Sequence, residues 1–205
     1  MTRALALVTV LFVAAGACRA DGAAPGPPRT YSSSDLEGLV LGPEEGPPGT
    51  RFVEGASGPL TVEQFWPSSC CPGQQEAFDD AGFRAGYAAL FERPGRSGEP
   101  IDTRPGYELL SSRAALFDTE EGAREAMGSW LDYHQAPELD PLPVDGLGQE
   151  AEAYVGSPDA PAETVVLYVW RMGRLVLYLR ASMGTGTIPV QRTRELADRM
   201  DRRAS

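Results

Sequence analysis

Cys70 and Cys71 stand side by side in the stretch Ser68-Ser69-Cys70-Cys71-Pro72-Gly73. Adjacent thiols admit three readings. One is a vicinal disulfide, which closes a small strained ring and is comparatively easy to reduce. Another is two separate thiols or an intermolecular link. The third is metal or redox work. Zinc sites want spaced Cys and His ligands, and His134 is the only histidine in the chain. No metal and no cofactor is expected. His134 falls at the end of an apolar helical stripe, where a histidine packs or caps. Serine hydrolases need a base beside the nucleophile, and no Gly-x-Ser-x-Gly occurs. Met183 to Thr187 is glycine-rich but carries no lysine for a phosphate loop. Glu44-Glu45, Asp79-Asp80 and Glu120-Glu121 are the acidic pairs. Glycosidases and calcium sites use paired carboxylates, but these neighbours lack calcium-loop spacing and read as solvated turns or helix starts. No catalytic residue is expected.

Cys18 points to different chemistry. Arg3 gives a short positive start, Ala4 to Ala15 is apolar apart from Thr9, and small residues lead into Cys18. This is the pattern of a secretory signal, and the run is too short to span a bilayer. Ala15-Gly16-Ala17-Cys18 resembles a bacterial lipobox, in which the cysteine is acylated and becomes the mature N-terminus. The same residues suit plain cleavage and secretion. Residues 1–17 are therefore expected to be a signal peptide, of lipoprotein type with Cys18 as the lipidation site. Residues 18–35, rich in Ala, Gly, Pro and Ser, read as a flexible tether. More than one acyl chain makes such an anchor stable. The expected address is the outer face of the cytoplasmic membrane or the cell envelope, with secretion as the alternative.

The chain has 205 residues and a net charge of −11. That length suits one domain with accessory segments. The negative charge disfavours nucleic acid and anionic lipid headgroups and otherwise reads as solubility.

Several elements must carry these residues. Arg51 to Glu54 reads as a short strand. Thr61 and Gln64 have capping-box spacing, and Pro67 closes any helix there. Gln74 to Gly82 reads as a short helix. Phe83, Ala85, Tyr87, Ala89 and Phe91 alternate as one face of a strand, and Tyr107 to Phe117 is another strand. Ala123, Ala126, Met127, Trp130, Leu131 and His134 form a continuous helical stripe. Asp118 and Glu121 give its start signal. Strands follow at Gln149 to Gly156, Glu163 to Met172 and Arg174 to Met183. A last helix carries Val190, Thr193, Leu196, Ala197 and Met200. The order lacks a βαβ rhythm. It predicts one α+β domain over residues 36–203, with a curved antiparallel sheet of about five or six strands and helices packed on it.

The hairpin around Gly173 is apolar on both faces. A turn centred on Met172-Gly173 puts Trp170 opposite Leu175 and Tyr168 opposite Leu177. The other face carries Leu167, Val169, Val176 and Tyr178, with Arg171 and Arg180 at its ends. A sheet wetted on one side alternates apolar and polar residues, so both faces of this hairpin must be covered. Helices are expected on one face, and the Leu36 to Leu41 segment with the short helices on the other. A sharper expectation is that Leu167, Val169, Val176 and Tyr178 line a pocket for a small apolar ligand, with Arg171 and Arg180 meeting an acidic head.

The recurring order Phe117-Asp-Thr-Glu-Glu-Gly-Ala-Arg-Glu-Ala-Met127, Pro143-Val-Asp-Gly-Leu-Gly-Gln-Glu-Ala-Glu-Ala-Tyr154, the Val165 to Ser182 hairpin and Thr193 to Met200 resembles exported lipoproteins of high-GC actinobacteria. It also resembles the extracellular sensor-like domains of their membrane serine/threonine kinases. The resemblance implies a non-enzymatic envelope domain that senses a ligand, and it carries over no catalytic residues. The expected function is a non-enzymatic envelope lipoprotein binding a small apolar ligand. The alternative is a protein-interaction or structural accessory of the envelope without such a ligand.

Overall fold

The computed structural model describes residues 29–67, 71–94, 107–134, 136–157, 164–183 and 190–205. The expected signal peptide, Cys18 and Cys70 lie outside these residues. The α-helices are α1 (Leu36–Leu39), α2 (Val62–Phe65), α3 (Pro72–Asp80), α4 (Glu120–Tyr133) and α5 (Val190–Ala204). The strands are β1 (Arg51–Phe52), β2 (Gly58–Leu60), β3 (Phe83–Glu92), β4 (Tyr107–Phe117), β5 (Asp140–Pro141), β6 (Glu150–Gly156), β7 (Thr164–Met172) and β8 (Leu175–Met183). No described helix is long and apolar enough to cross a membrane.

All strand pairs are antiparallel. They form one open eight-stranded sheet in the order β1-β3-β4-β8-β7-β6-β5, with β2 also pairing β3. The class is α+β, as the element order predicts. The sheet is larger than the expected five or six strands because β2 and β5 are short and contain proline. Proline cannot donate to a ladder and is tolerated at sheet edges.

Local chemistry sets the helix starts. On α2 the Thr61 N–H donates to Gln64 Oε1 at 2.9 Å, and the Gln64 N–H donates to Thr61 Oγ1 at 3.3 Å. This is the reciprocal capping box. On α4 the cap is Thr119, whose hydroxyl accepts from the Gly122 N–H at 3.0 Å. That is one residue later than the Asp118 signal suggested, and Asp118 instead pairs with Arg84.

Two cores flank the sheet. One packs α2, α3 and α4 against Ala115, Phe117, Leu167, Val169, Val176 and Tyr178. The other packs α1, α5 and Leu39 to Leu41 against Leu110, Val166, Tyr168, Trp170, Leu177 and Leu179. Both hairpin faces are therefore covered. The short helices α2 and α3 sit with α4, however, and not with the Leu36 to Leu41 segment.

Three further readings change. The hairpin register is Met172 opposite Leu175 and Trp170 opposite Leu177. The turn is Gly173-Arg174, with Gly173 at φ 60°, so pairing slips by two residues while every side chain keeps its face. On β3, Ala85, Tyr87, Ala89 and Phe91 share a core, but Phe83 joins the opposite one. The register shifts between Phe83 and Ala85, and a bulge re-aims the residues beyond it. Finally, within the segment read as a tether, Arg29 and Tyr31 contact the end of α5 while Ser32 to Ser34 are exposed. Tyr31 is buried and its hydroxyl donates to the Ala204 carbonyl. Arg29 Nη1 donates to the Arg203 carbonyl at 2.8 Å.

Candidate functional site

Strand alternation puts Leu109, Ser111 and Arg113 of β4 on the α4 side of the sheet. The antiparallel ladder sets Arg113 opposite Tyr178 and Ser111 opposite Arg180. The C-terminal end of α4 and the end of α2 both border this part of the sheet. A cavity of about 510 Å³ remains between them. Its wall includes Phe65, Trp66, Leu90, Leu109, Trp130, Tyr133, His134 and Val165, with Ser111, Arg113, Tyr178 and Arg180 on the sheet side. That volume lies within the range of small-molecule sites, roughly 300–1,000 Å³.

The wall is an aromatic network. Trp66 meets Tyr133 edge-on at 4.7 Å between centroids, and Trp130 meets His134 at 4.3 Å. Phe65 and Trp130 both contact the Tyr178 ring, at 5.7 and 5.1 Å. Tyr133 is the one exposed large hydrophobic side chain among the described residues, at 42%. Its hydroxyl lies 3.2 Å from Cys71 Sγ. Cys71 is disulfide-bonded, so its sulfur has no proton and the tyrosine donates.

Electrostatically the cavity is one-sided. Among the described residues no Asp or Glu lines it. Arg113 places its guanidinium carbon 4.9 Å from the Phe65 ring centroid. Its Nε donates to Ser111 Oγ at 3.1 Å and its Nη1 to the Phe65 carbonyl at 3.3 Å. Burial, and then repulsion from Arg180, lowers the Arg113 pKa, yet arginine remains charged in proteins. Burial also lowers the His134 pKa, to about 3, helped by Arg180 and Arg113. His134 is neutral at any ordinary pH. Burial drives the Tyr178 hydroxyl far above its usual pKa despite the opposing pull of Arg113, so it keeps its proton. The Tyr178 hydroxyl and the Trp66 indole N–H are both buried without a hydrogen-bond partner among the described residues. Buried donors are normally satisfied, and one left unmade costs about 1–3 kcal/mol.

No protein-family model and no curated protein matches the chain. A solved structure does resemble it. The extracellular domain of PknH from Mycobacterium tuberculosis aligns with a TM-score of 0.50 at 13% sequence identity, over 86% of this chain and 100% of that one. At that identity the likeness is one of fold.

The expected ligand face divides in two. Tyr178 and Arg180 reach the cavity. Leu167, Val169 and Val176 do not, because α4 lies directly on them and leaves each fully buried in filled core. Arg171 sits at the far end of the hairpin. Its Nε donates to Glu150 Oε2 at 3.1 Å and its Nη1 to the Gly173 carbonyl at 2.9 Å. It also pairs with Glu120, so it ties the turn to α4 and β6. Arg113, Trp66 and Phe65 are the site residues that the sequence reading missed. The available signal was a charged side chain, Arg113, in the strand register that also carries Leu109, Ala115 and Phe117 to the α4 side.

Proposed function

We propose that the chain is a non-enzymatic, exported domain of the cell envelope that binds or senses a small, largely apolar ligand in the cavity between α2, α4 and the sheet. One observation carries this reading: a cavity of about 510 Å³, walled largely by aromatic rings, lies beside the α2–α3–α4 core. The non-enzymatic part is supported by His134. It is held neutral, touches Trp66, Trp130 and Tyr133, and hydrogen-bonds no nucleophile among the described residues. Export is supported by the signal-like pattern ending at Cys18 and by the extracellular origin of the domain whose fold the chain shares. In this reading acylated Cys18 tethers the domain to the membrane surface.

The test is a titration with N-phenyl-1-naphthylamine, a neutral dye that brightens in apolar sites. A saturable, one-to-one rise is expected, and Leu109→Trp, which fills the cavity, removes it. If wild type gives no rise, the cavity reading fails and a protein-interaction accessory becomes the better account.

A further inference from the structure

The ligand reading leaves open what lies at the polar end of the cavity, and the sheet supplies it. Arg113 has five N–H donors in principle. Ser111 Oγ takes one and the Phe65 carbonyl another, which leaves three. Its guanidinium also lies over the Phe65 ring. Among the described residues, the charged and titratable groups that act on it are Arg180, Tyr178 and Tyr133, with no carboxylate. Arg113 is half-buried, and even partial desolvation of a cation without a counter-charge is unfavourable, so proteins ordinarily pair or coordinate such groups. This one sits opposite Tyr178 on the neighbouring strand, whose hydroxyl is unpartnered among the described residues, as is the Trp66 indole. Arg180 adds positive charge nearby but has further interactions of its own, so Arg113 carries the inference. Among the described residues the cavity therefore presents the Arg113 guanidinium, the Tyr178 hydroxyl and the Trp66 N–H and no carboxylate, in a chain whose net charge is −11.

We infer that the ligand is an amphiphile with an anionic head, a carboxylate or a phosphate, held by Arg113 with the Tyr178 hydroxyl and the Trp66 N–H, and with its apolar part among Phe65, Trp130 and Leu109. The inference rests on the cavity reading above. A guanidinium suits either head because it presents parallel N–H donors to two oxygens. Charge-assisted bonds of this kind contribute roughly 1.5–3 kcal/mol, which corresponds to about tenfold or more in affinity.

The test is competition against bound N-phenyl-1-naphthylamine in detergent-free buffer, using decanoate, decyl phosphate and decanol. At least one anion is expected to displace the dye at about tenfold lower concentration than decanol. Whichever anion is stronger names the head. Arg113→Gln is expected to bring the anions to the level of decanol, each compared with decanol on that same variant. If decanol matches both anions on wild-type protein, the anionic head is wrong although the cavity still binds. If the dye itself does not bind, the cavity reading has failed and this inference with it. The wild-type comparison decides by itself should Arg113→Gln not fold.

Discussion

Arg113 reaches from the middle of β4 to the last residue of α2. Its guanidinium carbon lies 4.9 Å from the Phe65 ring centroid, and its Nη1 donates to the Phe65 carbonyl. Two interpretations of that contact differ in their consequences. If Arg113 is a clamp that holds α2 on the sheet, removing it is costly. If it is kept for a ligand, the empty protein bears a desolvation cost that an apolar side chain relieves. The second view predicts that Arg113→Met is as stable as wild type to within about 1 kcal/mol, or more stable. Urea unfolding measures this. A loss beyond about 3 kcal/mol, the scale of a broken buried pair, would identify a structural clamp.

His134 makes stability depend on pH in a defined window. Its folded-state pKa of about 3 lies below the ordinary histidine value of 6.5. The unfolded chain therefore binds a proton that the folded one refuses as pH falls. Above 6.5 this group has no effect. Below 6.5 stability falls, by at most about 1.4 kcal/mol per pH unit for one proton, until the folded group titrates. Arg113 on β4 and Arg180 on β8 repel the imidazolium, while Trp66, Trp130 and Tyr133 surround the ring. Urea midpoints between pH 7.5 and 5 should drop for wild type and stay nearly flat for His134→Gln. Parallel curves for the two proteins would remove His134 from the account.

The pattern of success in reading the sequence has a physical basis. Periodicity is local, so the α4 stripe from Ala123 to Leu131 and the two-faced hairpin of β7 and β8 were legible. The hairpin register was not, because Met172-Gly173 and Gly173-Arg174 both put glycine in the turn and give the same facing pattern. The bulge beside Phe83 was invisible for a related reason, since alternation continues on either side of it. The cavity was least legible. Its wall is drawn from α2, α4 and four strands, and no single stretch of sequence records that assembly. Arg113, Phe65 and His134 lie far apart in the chain, on β4, α2 and the end of α4, and only the tertiary fold brings them to one cavity.

Tyr31 and Arg29 finish a helix from outside it. The last carbonyls of a helix have no intrahelical donors. On α5 the Ala204 carbonyl accepts from the Tyr31 hydroxyl and the Arg203 carbonyl from Arg29 Nη1. Tyr31→Phe should cost about 1 kcal/mol, the net worth of one hydrogen bond. Tyr31→Ala should cost roughly 3 kcal/mol or more, because it also empties a buried site. If neither substitution changes the urea midpoint, residues 29–35 are a passive tether after all.

Gly122 and Gly128 lie on the same helix and should respond to alanine with opposite signs. Helix propensity alone favours alanine over glycine by about 1 kcal/mol at either position. At Gly128 nothing lies within 4 Å of an added Cβ, so propensity decides, and Gly128→Ala should stabilise by about 0.5–1 kcal/mol. At Gly122 an added Cβ falls 1.9 Å from the Ala81 carbonyl oxygen and 2.9 Å from its carbon. Both contacts are backbone, so no side-chain rotation relieves them. The first turn of α4 must move away from the end of α3. That shift disturbs the Thr119 cap and the packing of Ala123 and Met127 beneath it. Gly122→Ala should therefore destabilise by roughly 2 kcal/mol or more, within the overpacking range and above it where the backbone cannot give. Because α4 also carries Trp130 and His134 into the cavity wall, the same substitution should weaken dye binding, while Gly128→Ala leaves it intact. Thermal melts and dye titrations of the two variants together check this. Equal behaviour would mean that α4 does not sit against Ala81 as closely as described.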